Sequence, residues 1–243
     1  MTYKSILNSG DGDKKFWVLI DPDKQEPDVA ADFASKCEKA GVDVLLVGTS
    51  LTLTNRFSET IKKIKNSVNI PVVIFPASVN QVSPHADGLL FLSLISGRNP
   101  QYLIDEHVKA APLIKSHNIL PISVGYMLID SGELTAVNFM SNTNPLPANK
   151  PEIAMAHALA AEFMGMKTVY LESGSGAENS VPNKIVKLVK ENLTIPVIVG
   201  GGISTPAIAA EKVKAGADIL VIGTAFEKNR DINLIKEYRK AIQ

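Results

Sequence analysis

Three runs in the C-terminal half carry the reading of the fold: Thr168-Val-Tyr-Leu-Glu-Ser-Gly-Ser-Gly-Ala177, Pro196-Val-Ile-Val-Gly-Gly-Gly-Ile-Ser204 and Ala217-Asp-Ile-Leu-Val-Ile-Gly-Thr-Ala-Phe226. Each begins with a short apolar stretch rich in β-branched residues and turns on glycine. Such continuous runs suit strands buried on both faces of a parallel sheet. Stretches of helical period follow them at 183–192, 205–216 and 231–242, which is what parallel neighbours need as crossovers.

The same alternation extends towards the N-terminus. FWVLIDP (16–22), VDVLLVG (42–48), PVVIFPAS (71–78), GLLFLSLIS (88–96) and ILPISVGYMLID (119–130) are five more apolar runs, and helical periods occupy 27–41, 55–68, 100–116 and 151–165. Ser83, Pro84 and His85 leave little room for a full helix after the third run, so a loop is expected there. Residues 132–150 show no helical period and are expected to form an inserted hairpin or loop after strand five. Eight strands joined by right-handed crossovers close into a barrel. The expectation is an α/β chain folded as a single (β/α)8 TIM barrel over residues 1–243. An open doubly wound sheet is the competing reading; it would more usually carry a glycine fingerprint after the first strand, where this chain has Asp21-Pro-Asp-Lys24.

The composition excludes several classes of function. Among 243 residues, 25 Lys and Arg balance 25 Asp and Glu, which argues against a broad nucleic-acid-binding surface. A single cysteine, Cys37, rules out an intrachain disulfide and a cysteine zinc cluster. Residues 1–15 lack the apolar run of a secretory signal, and no run is long enough to span a membrane, so a cytoplasmic protein is expected.

In a barrel the chemistry sits at the C-terminal strand ends. Three glycine-rich ends in succession, after strands six, seven and eight, let main-chain N–H groups approach an anion and predict a phosphate site. Asp21 ends strand one and Ser50 closes strand two; a carboxylate with a neighbouring hydroxyl fits magnesium, which keeps places for water and phosphate. Asp23 reads instead as a structural residue. Glu172, two residues after Tyr170 on the same side of its strand, is a candidate general base. His85, His107, His117 and His157 lack ligand spacing and read as surface or core. Cys37 and Trp17 read as packing, and Lys62, Lys63 and Lys65 as a solvated helix face.

The segments LIDPDK, VGTS, SLISGRNP, YLESGSGA, VGGGIS and VIGTAF, in this order, resemble the geranylgeranylglyceryl phosphate synthases and the related bacterial heptaprenylglyceryl phosphate synthases. The stretch from Ser141 to Ala177 is closest in pattern to the branch called group II. The resemblance implies a prenyltransferase of lipid and phospholipid biosynthesis. It would move a geranylgeranyl or similar group from its diphosphate to the C3 hydroxyl of sn-glycerol 1-phosphate, with Mg2+ neutralising the leaving diphosphate. It places Asp21 and Ser50 at the magnesium positions. Tyr170, Leu171, Glu172, Ser173, Gly174, Ser175, Gly176, Gly201, Gly202, Gly223 and Thr224 fall at the glycerol-phosphate positions, with Glu172 and Tyr170 in catalytic ones. It further implies a homo-oligomer, dimer or hexamer, in transient contact with a membrane surface and with no nucleic-acid partner. An apolar groove for the prenyl chain is expected along strands three and four. Leu19 departs from the pattern, standing where some members of the other branch place a lysine, and so does 130–142 after strand five. The alternative from the residues alone is another phosphate-binding barrel, a sugar-phosphate isomerase or aldolase, although no strand-end lysine suits a Schiff base.

Overall fold

A computed structural model describes residues 2–7, 14–227 and 230–243, so part of the N-terminal segment 1–15 lies outside the described residues. In chain order the elements are α1 (Tyr3–Leu7), β1 (Lys15–Ile20), α2 (Pro27–Lys39), β2 (Val44–Val47), α3 (Phe57–Ser67), β3 (Val72–Ile74), β4 (Gly88–Leu94), α4 (Glu106–Ser116), β5 (Leu120–Leu128), α5 (Ala136–Ser141), α6 (Pro151–Phe163), β6 (Thr168–Glu172), α7 (Asn183–Asn192), β7 (Val197–Gly200), α8 (Pro206–Lys214), β8 (Ile219–Ile222) and α9 (Ile232–Ile242). All eight strands pair in parallel and in sequence order, and β1 pairs with β8 to close the ring. The TIM barrel is therefore the observed fold.

Strand alternation sorts the apolar residues into two cores. Trp17, Val44, Val73, Leu90, Tyr170 and Ile198 point inward and fill the barrel. Residues such as Phe16, Leu45, Leu89, Leu171 and Val199 point outward and pack with the helices, where Cys37 is also buried. Burial pushes the Cys37 thiol well up, leaving it inert. Lys62 lies exposed on α3, while Lys63 and Lys65 pair with Asp28 and Asp87. The helix borders follow ordinary capping chemistry: proline opens α2, α6 and α8, and Asp231 accepts from Asn233 N–H at 2.9 Å to start α9. Asp231→Ala is expected to cost about 1 kcal/mol in a urea titration, the usual worth of an N-cap.

Three features depart from the sequence expectation. Helix α1 was not anticipated; Ile6 and Leu7 are fully buried in the inner core, and Lys15 Nζ donates to the carbonyls of Ser5 (2.9 Å) and Ile6 (2.8 Å) at its end. The segment 132–150 is not a hairpin. It contains α5, started by the side chain of Thr135 and ended by left-handed Asn142, and Leu146 forms a parallel bridge with Ile129, just past the end of β5. Six residues are too few turns for a period to register. Between β3 and β4 the crossover is a single 3-10 turn, Val79–Gln81, as the Ser83–His85 break implied. The helix expected over 100–116 opens as a π-helical turn, Gln101–Asp105, before continuing as α4.

Candidate active site

A cavity of about 430 Å³ opens at the C-terminal end of the barrel. Its centre is a carboxylate. Glu172, the last residue of β6, is 5 % exposed. Its Oε1 accepts from Gly174 N–H at 2.7 Å, and the phenols of Tyr170 and Tyr126 act as further donors. Burial outweighs these donors and pushes its pKa up to about 7. Burial and the adjacent carboxyl raise both phenols well above their ordinary value. Tyr170 stacks on Phe75 with centroids 5.4 Å apart and meets Tyr126 edge-on at 5.3 Å. The carboxyl group thus sits against an aromatic floor, poised near neutrality.

On one side lie the glycine-rich ends. The amides of Ser175, Gly176, Gly201, Gly202 and Gly223 donate to no protein acceptor among the described residues. The hydroxyls of Ser175 and Thr224 meet at 3.2 Å. Gly201 has φ +80°, and a Cβ there would overlap Glu172 Oε1 and stand 2.7 Å from Gly174 N. Only glycine therefore brings this amide beside the carboxylate. No lysine or arginine lines the cavity among the described residues, and Leu19 is part of the wall. An anion bound here would rest on amides and hydroxyls.

Asp21, Thr49 and Ser50 line the adjoining rim at the ends of β1 and β2, β1 being the neighbour of β8. Asp21 Oδ1 accepts from Asp23 N–H at 3.0 Å, the Thr49 hydroxyl also approaches it, and desolvation raises its pKa. Asp23 instead accepts from Leu53 N–H at 2.7 Å and from the Thr54 hydroxyl, which makes it structural. Among the described residues no three His, Cys, Asp or Glu side chains cluster. One half-buried carboxylate approached by the Thr49 hydroxyl, with Ser50 on the same cavity wall, is the sparse oxygen set that magnesium accepts when phosphate and water complete its shell. The residues fit that cation.

The cavity continues into an apolar groove where the crossover between β3 and β4 lacks a helix. Val79, Val82, Leu89, Phe91 and Ala110 wall it, and Val137 and Met140 of α5 cover it. His107 belongs to this wall: its Nε2 lies 3.1 Å from Ser93 Oγ, and its ring meets Phe91 edge-on at 4.5 Å. A lone histidine on a helix gave no signal in the sequence beyond core or surface.

Of the residues expected in the site, Asp21, Ser50, Tyr170, Glu172, Ser175, Gly176, Gly201, Gly202, Gly223 and Thr224 all line the cavity. Leu171 does not. Strand alternation turns its side chain outward into the helical layer, away from Tyr170 and Glu172. Ser173 and Gly174 lie behind the wall, their amides bonded to the Gly200 carbonyl and to Glu172.

The model of the PcrB family matches residues 6–241. The chain belongs to the PcrB family. Among the curated relatives of this PcrB member, the geranylgeranylglyceryl phosphate synthase of Chitinophaga pinensis is 46% identical, over 99% of this chain and 95% of its own length. The enzyme of the same name from Korarchaeum cryptofilum is 39% identical over 93% of both chains. Among solved structures, (S)-3-O-geranylgeranylglyceryl phosphate synthase from Thermoplasma acidophilum, crystallised with its substrate sn-glycerol-1-phosphate, superposes with a TM-score of 0.91. It is 33% identical and the match covers 100% of this chain and 98% of that one. Barrels at lower identity, such as a thiamine phosphate pyrophosphorylase from Pyrococcus furiosus (15%, TM-score 0.60), share the fold alone.

Proposed function

We propose that this PcrB-family chain is a geranylgeranylglyceryl phosphate synthase, transferring a prenyl group from its diphosphate to the C3 hydroxyl of sn-glycerol 1-phosphate. The observation that carries the reading is the placement of Glu172, buried with a pKa of about 7 between an amide-lined anion sector and an apolar groove. The amides of Gly176, Gly201, Gly202 and Gly223 would hold the phosphate. Glu172 would take the C3 hydroxyl proton as the oxygen bonds to the allylic carbon and the carbon–oxygen bond to diphosphate breaks. A base with a pKa near the working pH suits that transfer. Tyr170 and Tyr126 orient the carboxylate and, with Phe75, exclude water from the reacting carbon. The groove beside Phe91 and His107 would take the isoprene chain.

Asp21 and Ser50 would hold magnesium, which when bound stabilises the charge building on the leaving diphosphate. Asp21→Asn is expected to raise the magnesium concentration needed for half-maximal turnover by about tenfold or more. An unchanged requirement would remove Asp21 from the cation's shell. Extraction of radiolabelled lipid from sn-glycerol 1-phosphate, geranylgeranyl diphosphate and magnesium tests the activity; no organic-soluble product would overturn it. No helix among the described residues is long and apolar enough to cross a membrane. Cytoplasmic location and transient membrane contact belong to the same proposal, as does assembly into a homo-oligomer; Phe163 and Met164, exposed on the outer layer, give self-association apolar surface to cover. Light scattering reads the assembly state directly.

A further inference from the structure

The turn that orients Glu172 leans on the inserted helix. Glu172 Oε1 receives its main-chain hydrogen bond from Gly174, and Gly174 is held in a left-handed conformation at φ +102°. Its bare Cα faces Thr135: a Cβ at this glycine would overlap the Thr135 methyl and stand 2.8 Å from Thr135 Cβ and 3.0 Å from Oγ1. Thr135 is the N-cap of α5, its hydroxyl accepting from Asn138 N–H at 3.4 Å and meeting Asn138 Oδ1. The other end of α5 is tied to the β4–α4 connection by Asn99 Nδ2 donating to the Ser141 carbonyl (2.7 Å) and the Tyr102 hydroxyl to the Met140 carbonyl (3.3 Å). Met140 and Val137 on this helix roof the apolar groove. Thr135 itself is 9 % exposed and is not part of the cavity wall.

We propose that Thr135 is a positioning residue for the prenyl transfer: by packing on Gly174 it holds the amide that fixes the Glu172 carboxylate, and through α5 it joins that carboxylate to the roof of the groove. The inference rests on the reading of Glu172 as the base. The ionisable groups facing Glu172 are Tyr170 from β6 and Tyr126 from β5; β7 contributes only the Gly201 backbone. The Gly174 amide favours the charged carboxylate, so loosening the turn raises the pH at which the base form appears.

Two conservative variants separate packing from capping. Thr135→Val keeps the shape against Gly174 and loses the cap hydroxyl; Thr135→Ser keeps the hydroxyl and opens a gap where the methyl lay. The measurements are the pH profile of kcat, KM for each substrate and the urea midpoint. In the serine variant the acid limb is expected to rise by about one unit, with kcat below the limb falling up to about tenfold, KM unchanged and the urea midpoint lowered only by the loss of one buried methyl. In the valine variant the midpoint drops while the acid limb stays. A serine variant with the wild-type limb, or a valine variant whose limb moves in step with its midpoint, overturns the proposal. Wild-type turnover with a limb near 7 and no shift in serine would overturn this inference alone; absence of wild-type turnover would overturn the functional reading and this inference together.

Discussion

Glu172→Gln is expected to lower turnover by about 10²–10⁴-fold, the range that a positioned general base supplies, and to make the folded protein more stable above neutral pH. The two effects have one cause. The folded chain raises the Glu172 pKa from the ordinary 4.5 to about 7, so between those values the folded state holds more protons than the unfolded state. Stability contributed by this site is then greatest at low pH and declines as the pH rises through about 7. Glutamine carries no charge at any pH and removes the decline, a gain of up to about 3 kcal/mol at pH 8. At pH 5, where the folded glutamic acid is already neutral, the two proteins should be close. Urea titrations at both pH values read the difference. Equal destabilisation of the glutamine variant at pH 5 and pH 8 would mean that the lost acceptor for Gly174 and the two phenols dominates. Wild-type kcat should rise with pH through a limb near 7, and that limb should be absent from whatever turnover the variant retains.

Gly201→Ala is expected to lose about 3–4 kcal/mol of stability and at least about 10²-fold in turnover. Part of the stability cost is backbone conformation: φ +80° is unfavourable for any side-chain-bearing residue by about 1–2 kcal/mol. The remainder is crowding, because the new Cβ would overlap Glu172 Oε1 and stand 2.7 Å and 2.8 Å from the Gly174 N and O. Carboxylate and turn cannot both keep their places. Gly165→Ala is the control. It has nearly the same φ, +83°, with nothing within 4 Å of an added Cβ, and therefore reports the backbone cost alone. If Gly201→Ala loses no more than Gly165→Ala, the close approach of Gly201 to Glu172 has no energetic consequence.

The apolar strands and the helices of two turns or more were legible in the sequence; the two shortest α-helices were not. The eight apolar runs mark strands because they are continuous and end in glycine, proline or polar residues, and the longer helices between them span enough turns for their period to register. Helix α1, five residues long, and α5, six residues long, owe their form to contacts far away in sequence: Ile6 and Leu7 to the inner core, Thr135 to Gly174. Most of the cavity lining was readable because a barrel collects its strand ends on one face. The inclusion of Leu171 came from carrying over a contiguous motif; the two-residue alternation of the strand puts Tyr170 and Glu172 inside and Leu171 outside. His107 could not be foreseen as cavity wall, because its exposure to the groove depends on the short 3-10 crossover between β3 and β4. Thr135 carries no motif at all, and its relation to Glu172 exists only through the Gly174 turn.

Prenyl transfer to glycerol phosphate is tested most directly by mass spectrometry of the products formed from sn-glycerol 1-phosphate, magnesium and a mixture of prenyl diphosphates from C15 to C35. Prenylglyceryl phosphate ethers and equimolar diphosphate are expected, with one range of chain lengths favoured by the fixed groove. Glycerol phosphate consumed or isomerised without any ether mass, at every chain length, would contradict that transfer.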